Sequence, residues 1–128
     1  MKRILLLGPT LLLAAAPAHA TGGFECWTAD RGIVLIGSFG NSIGMPMDAA
    51  FLELGGRTLR TSGEDAQIVI VRQWIGEGEI RVDLAARHEE RLEARLRERL
   101  GADGTGGGTL ERDGVTHRVR CDMERMDV

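Results

Sequence analysis

A chain of 128 residues with 19 acidic side chains against 16 Lys and Arg carries a net charge of −3. That length fits one domain. The acidic balance and a single lysine, Lys2, argue against nucleic acid, which calls for a basic face, and against strong binding to anionic membranes.

The first 20 residues read as a removable leader. Lys2-Arg3 is a short positive start, Ile4 to Ala16 is apolar around Gly8-Pro9, and Ala18-His19-Ala20 has the small-x-small form of a cleavage site. The apolar run is too short to span a bilayer and no second one follows, so no membrane span is expected. No cysteine sits at the cut, which argues against a lipid anchor. Cleavage near Ala20-Thr21 predicts a single periplasmic or secreted β domain over 21–128. Its net charge is −5, the −3 of the whole chain less Lys2 and Arg3.

In chain order, Phe24 to Thr28 predicts a short strand with Phe24 and Cys26 on one face and Glu25 and Trp27 on the other. Asp30-Arg31-Gly32 turns it into a second, strongly apolar strand over Ile33 to Phe39. Gly40 to Pro46 is an irregular loop. Gly55-Gly56 is a two-residue turn signal between strands at Ala50 to Leu54 and Arg57 to Thr61.

The clearest pattern runs from Gln67 to Leu84. Four β-branched residues, Ile68 to Val71, favour a pleat over a helix and predict a strand covered on both faces. Gly76-Glu77-Gly78 suits a tight turn needing positive φ. The return strand alternates Ile80, Val82 and Leu84 inward against Glu79, Arg81 and Asp83 outward.

Ala85 to Leu100 carries two signals. Its Ala, Glu, Arg and Leu content favours a helix, with Leu92, Leu96 and Leu100 four apart. A helix would also stack Arg87, Arg91, Arg95 and Arg99 in one column of like charge. From Arg91 the alternation suits a strand with Leu92, Ala94 and Leu96 inward. The reading is one short helix near 85–91, followed by a strand to about Arg99. Gly101 to Gly108 is expected to be a flexible loop. Asp113-Gly114 is a strong type I′ signal that pairs Arg112 with Val115 and Leu110 with His117. Residues 122–128 are expected to fray. The whole predicts an all-β fold, a small antiparallel barrel or sandwich of about eight strands.

Cys26 and Cys121 both survive cleavage, 95 positions apart. In an oxidising compartment an even pair reads as a disulfide, which would make the first and last strands neighbours. His117 falls inward by parity and reads as a hydrogen-bonded core histidine; His88 reads as a solvated turn residue. Two isolated histidines make no zinc set. Met45, Met47, Met123 and Met126 suggest a thioether copper site, but methionine more often fills gaps in a core. Glu77, Glu79 and Asp83 read as a solvated face neutralised by Arg81. The glycine-rich stretch from Gly37 to Gly44 lacks the ending of a phosphate loop and the nucleophile elbow. No catalytic set, metal or cofactor is therefore expected.

An export leader, Phe24-Glu25-Cys26 near the mature start, a β domain of about 100 residues and a closing Cys121 resemble the bacterial periplasmic and membrane-bound inhibitors of c-type lysozyme. The resemblance implies a small antiparallel barrel that inserts a loop into a lysozyme cleft. That family has a Ser-Gly, then a Trp on the next strand, then a Lys-Gly. Ser62-Gly63 and Trp74 stand in comparable order here and are the implied partner contacts, Ser62 foremost. Trp74 is followed by Ile75-Gly76-Glu77, so the cationic contact is missing. The functional expectation is a non-enzymatic exported binding domain, inhibitor-like towards a wall-degrading enzyme; the alternative is a structural envelope protein without a ligand site.

Overall fold

A computed structural model describes residues 22–39 and 47–124. The leader and the cleavage site lie outside them, as do Met45, Pro46 and Met126. Nine strands run β1 (Gly22–Trp27), β2 (Ile33–Phe39), β3 (Met47–Leu54), β4 (Arg57–Arg60), β5 (Ile68–Gly76), β6 (Glu79–Ala86), β7 (Leu92–Leu100), β8 (Thr105–Arg112) and β9 (Val115–Glu124). They form one antiparallel sheet in the order β4-β3-β2-β1-β9-β8-β7-β6-β5, curled into a nearly closed barrel. No described helix is long and apolar enough to cross a membrane.

The hairpins follow from their turns. Glu77-Gly78 and Asp113-Gly114 have φ of 44° and 78°, and 53° and 76°. Positive φ at both central positions matches the twist of the flanking strands. These turns set the registers Gly76↔Glu79 and Arg112↔Val115. Gly55, at φ 64°, does the same between Leu54 and Arg57. At the first hairpin, the Asp30 carboxylate accepts from the Thr28 hydroxyl (2.8 Å) and the Gly32 N–H (2.9 Å). Those bonds hold its carboxyl below the usual carboxylate range.

The barrel closes through side chains rather than a full ladder. The Gln67 N–H donates to the Arg60 carbonyl (3.1 Å), and its side-chain oxygen accepts from the Arg60 N–H (3.0 Å). Further along β5, Gln73 Oε1 accepts from the Met47 N–H (2.6 Å) while Nε2 donates to the Met47 carbonyl (3.4 Å). Two glutamine amides thus stand in for missing peptide partners at the seam. A bulge makes this possible. Register shifts between Ile70 and Arg72, leaving Val71 without a partner and turning Gln73 towards the seam.

Inside lie Phe24, Leu35, Phe39, Leu52, Ile68, Ile80, Val82, Leu84, Leu96 and Leu110, with Cys26 and Cys121 among them. Phe24 and Phe39 pack at 5.9 Å between ring centroids. Fully burying a large apolar side chain contributes about 1.5–3 kcal/mol, and the alternation of these strands puts one such group inside at every second position.

Five expectations are corrected. No helix forms over 85–91. Ala85 and Ala86 complete β6, and Ala86 N–H bonds to the Arg91 carbonyl (2.9 Å) across a turn. β7 finds a ladder partner on each side, β6 and β8, and that pairing overrides helix propensity. The glycine run is not a loop, because Gly106, Gly107 and Gly108 belong to β8. Side chains there would strike the β7 backbone: a methyl at Gly106 would meet the Arg99 carbonyl, and one at Gly108 the Arg97 carbonyl. Val71 is 57% exposed, so the Ile68–Val71 run is not covered on both faces. His117 is only half buried, two residues from the exposed Val115 at the hairpin turn, although its pairing partner Leu110 is fully buried. β9 also continues to Glu124, into the segment expected to fray, with Met123 N–H held by the Gly104 carbonyl (2.8 Å).

Candidate functional site

The two implied contact regions are both exposed but lie apart. Ser62 and Gly63 sit on the loop between β4 and β5, with Gly63 at φ 94°. The loop is braced at its base. Ala66 N–H bonds to the Gly63 carbonyl (3.3 Å), the Gln67–Arg60 pair closes its neck, and Arg87 donates to the Ala66 carbonyl (3.3 Å). Trp74 lies six residues along β5 from Ile68, about 20 Å of strand away. It points outward opposite Arg81, with its ring near Gly76, and is 58% exposed.

Val71, carried outward by the bulge, is exposed on the same strand. Beside it a groove of about 450 Å³ crosses the outer face of β5–β7, its apolar lining Val69, Val71, Ala85 and Leu92 rimmed by charges of both signs from Arg72, Arg95, Asp83 and Glu89. Leu92, expected inward, pairs with Ala85 and turns outward here because the register shifts between Leu84 and Ala85. An apolar strip with a charged rim is the anatomy of a protein contact.

The remaining candidates separate by burial and pairing. Cys26 and Cys121 are register partners on β1 and β9 and form a disulfide. Met47 is buried in the core and Met123 packs against it, the gap-filling role. His88 is exposed on the β6–β7 turn. Glu79 pairs with Arg81 (3.0 Å) and Asp83 with Arg97 (2.9 Å) and Arg95 (3.3 Å). Arg81 neutralises Glu79 alone, and the expectation of a solvated Asp83 is corrected: it is buried and bridged from β7, because its register partner there is Arg95 and Arg97 lies two residues on.

The residue that sequence reasoning missed is Glu98. It lies on the inner face of β7, 2% exposed, and among the described residues neither carboxylate oxygen has a hydrogen-bond partner. Burial pushes its carboxyl from the ordinary 4.5 up to about 7. Its carboxylate and the Sγ atoms of Cys26 and Cys121 all lie within 4.8 Å of one another. The signal was present, since the alternation Ala94, Leu96 continued by two residues reaches Glu98. A carboxyl in that position breaks the apolar pattern without closing the strand.

Compared with known protein families, curated proteins and solved structures, the chain matches none.

Proposed function

We propose that the chain is an exported, non-enzymatic binding domain that presents the outer face of β5 to a protein partner. The observation that carries this is the pairing of Trp74 and Val71, 58% and 57% exposed, on one strand of an incompletely closed barrel. Single exposed hydrophobes are ordinary, but here a bulge turns Val71 outward three residues from an exposed tryptophan and at the edge of a groove with apolar lining. Tryptophan is also the residue most enriched among binding hot spots.

Site-specific photo-crosslinking tests it, in cells expressing the full chain with the probe at 71 or 74. A discrete adduct from these positions, absent when the probe stands at the equally exposed Val115, is the expected result. Equal labelling at all three positions, or none at 71 and 74, removes the proposal.

A second reading is favoured by the bracing of the Ser62 loop: inhibition of a lysozyme-like enzyme through loop insertion. A pre-organised loop loses less entropy on docking. Titration with a c-type lysozyme should then abolish wall lysis at one equivalent, and Ser62→Arg should restore it. Undiminished lysis at excess protein rejects this reading and leaves the β5 proposal standing.

A further inference from the structure

We propose that, once the Cys26–Cys121 bridge is reduced, its two thiolates and the Glu98 carboxylate form a three-ligand site for a soft divalent cation of the zinc class. The donors are already assembled. Both Sγ atoms and a Glu98 oxygen lie within 4.8 Å of one another, and all three residues are buried. Tetrahedral zinc, with bonds of about 2.3 Å to sulfur and about 2.0–2.2 Å to oxygen, needs donor separations of about 3.5–3.8 Å. Side-chain rotation within the same three residues covers that difference.

The carboxyl points to an occupant because nothing else satisfies it. Neither Glu98 oxygen has a partner among the described residues, and a buried polar group without one is costly. Disulfide sulfurs offer it no proton and do not act as anionic ligands. Thiolates do bind soft metals, and two thiolates with one carboxylate make a donor set of the zinc type.

Glycines also stand between the ligands. Gly108 is the register partner of Glu98 and Gly106 that of Cys121. β8, which lies between the strands of Glu98 and Cys121, thus carries no side chain at either of the two paired positions and lets β7 and β9 bring their donors together.

The reaction balances simply. A dithiol or phosphine reductant supplies two electrons, and with two protons the bridge becomes two thiols. Metal binding then releases both thiol protons and any proton held on the Glu98 carboxyl, which coordinates in its ionised form. The cation is neither oxidised nor reduced, and its fourth position is left for water.

The experiment uses protein recovered from cells expressing the full chain, reduced with a phosphine under anaerobic conditions and titrated with Cd²⁺ as a spectroscopic stand-in, then with Zn²⁺. Native mass spectrometry should show one metal per reduced chain and none on the oxidised chain, and a thiolate-to-cadmium charge-transfer band should grow in parallel. Glu98→Gln, which keeps the shape of the side chain, should weaken binding by about 100-fold or more, above the about 10–100-fold typical of losing an outer partner. Far-UV circular dichroism of each metal-bound sample shows whether the β fold persists. Equal affinity in wild type and Glu98→Gln would mean that a loosened dithiol binds without the carboxylate, and overturns the proposal. So does a reduced, folded chain that retains no metal.

Discussion

The paired strands β6 and β7 bury carboxyls on both faces of the sheet, and the two faces treat them differently. Outside, Asp83 on β6 is 4% exposed and bridged by Arg97 (2.9 Å) and Arg95 (3.3 Å) of β7. Inside, Glu98 is as deeply covered, and among the described residues neither of its oxygens has a hydrogen-bond partner; the bridge sulfurs lie beside it. The outer one belongs to a surface lattice in which each charge meets its opposite, so burial is offset. The inner one is an ionisable group held in apolar surroundings. Equal burial therefore says little; the neighbours decide whether a carboxyl braces the sheet or strains it.

Reducing the bridge separates these regions most strongly. Closing a 95-residue loop contributes about 4–5 kcal/mol in the loop-entropy model. Denaturant unfolding with and without a phosphine should show a loss of that order. Because the bridge ties β1 to β9, early amide exchange should concentrate there rather than in β6–β7. A midpoint unchanged by reduction would mean that the seam and core alone hold the barrel.

Next in size is Gly108→Ala. The new methyl would meet the Arg97 carbonyl and approach the Glu98 Cα at 2.6 Å. Backbone cannot yield as a flexible side-chain tip does, so β7 and β8 must part, at about 3 kcal/mol. A thermal shift no larger than that of an exposed Gly56→Ala control would contradict this close approach.

Much of this was legible beforehand, for reasons that differ by residue. Asp113-Gly114 and Gly76-Glu77-Gly78 are read directly, because positive φ at a two-residue loop restricts which residues fit. The Cys26–Cys121 tie, and with it the adjacency of the end strands, follows from the cysteine count once an oxidising compartment is expected from the leader-like start. What failed was any feature decided by neighbours distant in sequence. Residues 85–100 have helical composition, and only the ladders to β6 and β8 make Leu92–Leu100 a strand. Gly106 to Gly108 looks like a linker until the Arg97 and Arg99 carbonyls are set against it. Glu98 looked like one more charge in an arginine-rich run, and its burial became visible only when parity was carried through with β7 in register.

The third effect separates the two faces by pH. The folded chain holds the Glu98 proton up to about 7, whereas the unfolded chain releases it near 4.5. Between those values the unfolded state binds fewer protons, so stability falls as pH rises from 4.5 and levels off above about 7. The contribution is on the order of 2–3 kcal/mol. Glu98→Gln removes this slope: the variant and the wild type should be close in stability near pH 4, with the variant ahead at pH 8. Parallel curves for the two proteins across that range would show that Glu98 finds a partner after all.

The smallest effect falls on the outer face and sharpens the contrast by its salt response. Asp83→Asn weakens two ion pairs whose arginines are more than a third exposed, so solvent screens much of what the pairing contributes. The expected loss is about 1–2 kcal/mol, below the about 3–5 kcal/mol of breaking a fully buried pair. Raising ionic strength from about 0.01 M to about 1 M shortens the screening length from about 30 Å to about 3 Å, and should narrow the gap between Asp83→Asn and the wild type. The gap between Glu98→Gln and the wild type at pH 8 should not move, because its origin is lost hydration inside the barrel rather than attraction across its surface. If both gaps shrink alike in urea titrations at the two salt concentrations, solvent ions reach Glu98 and the inner face is as open as the outer one.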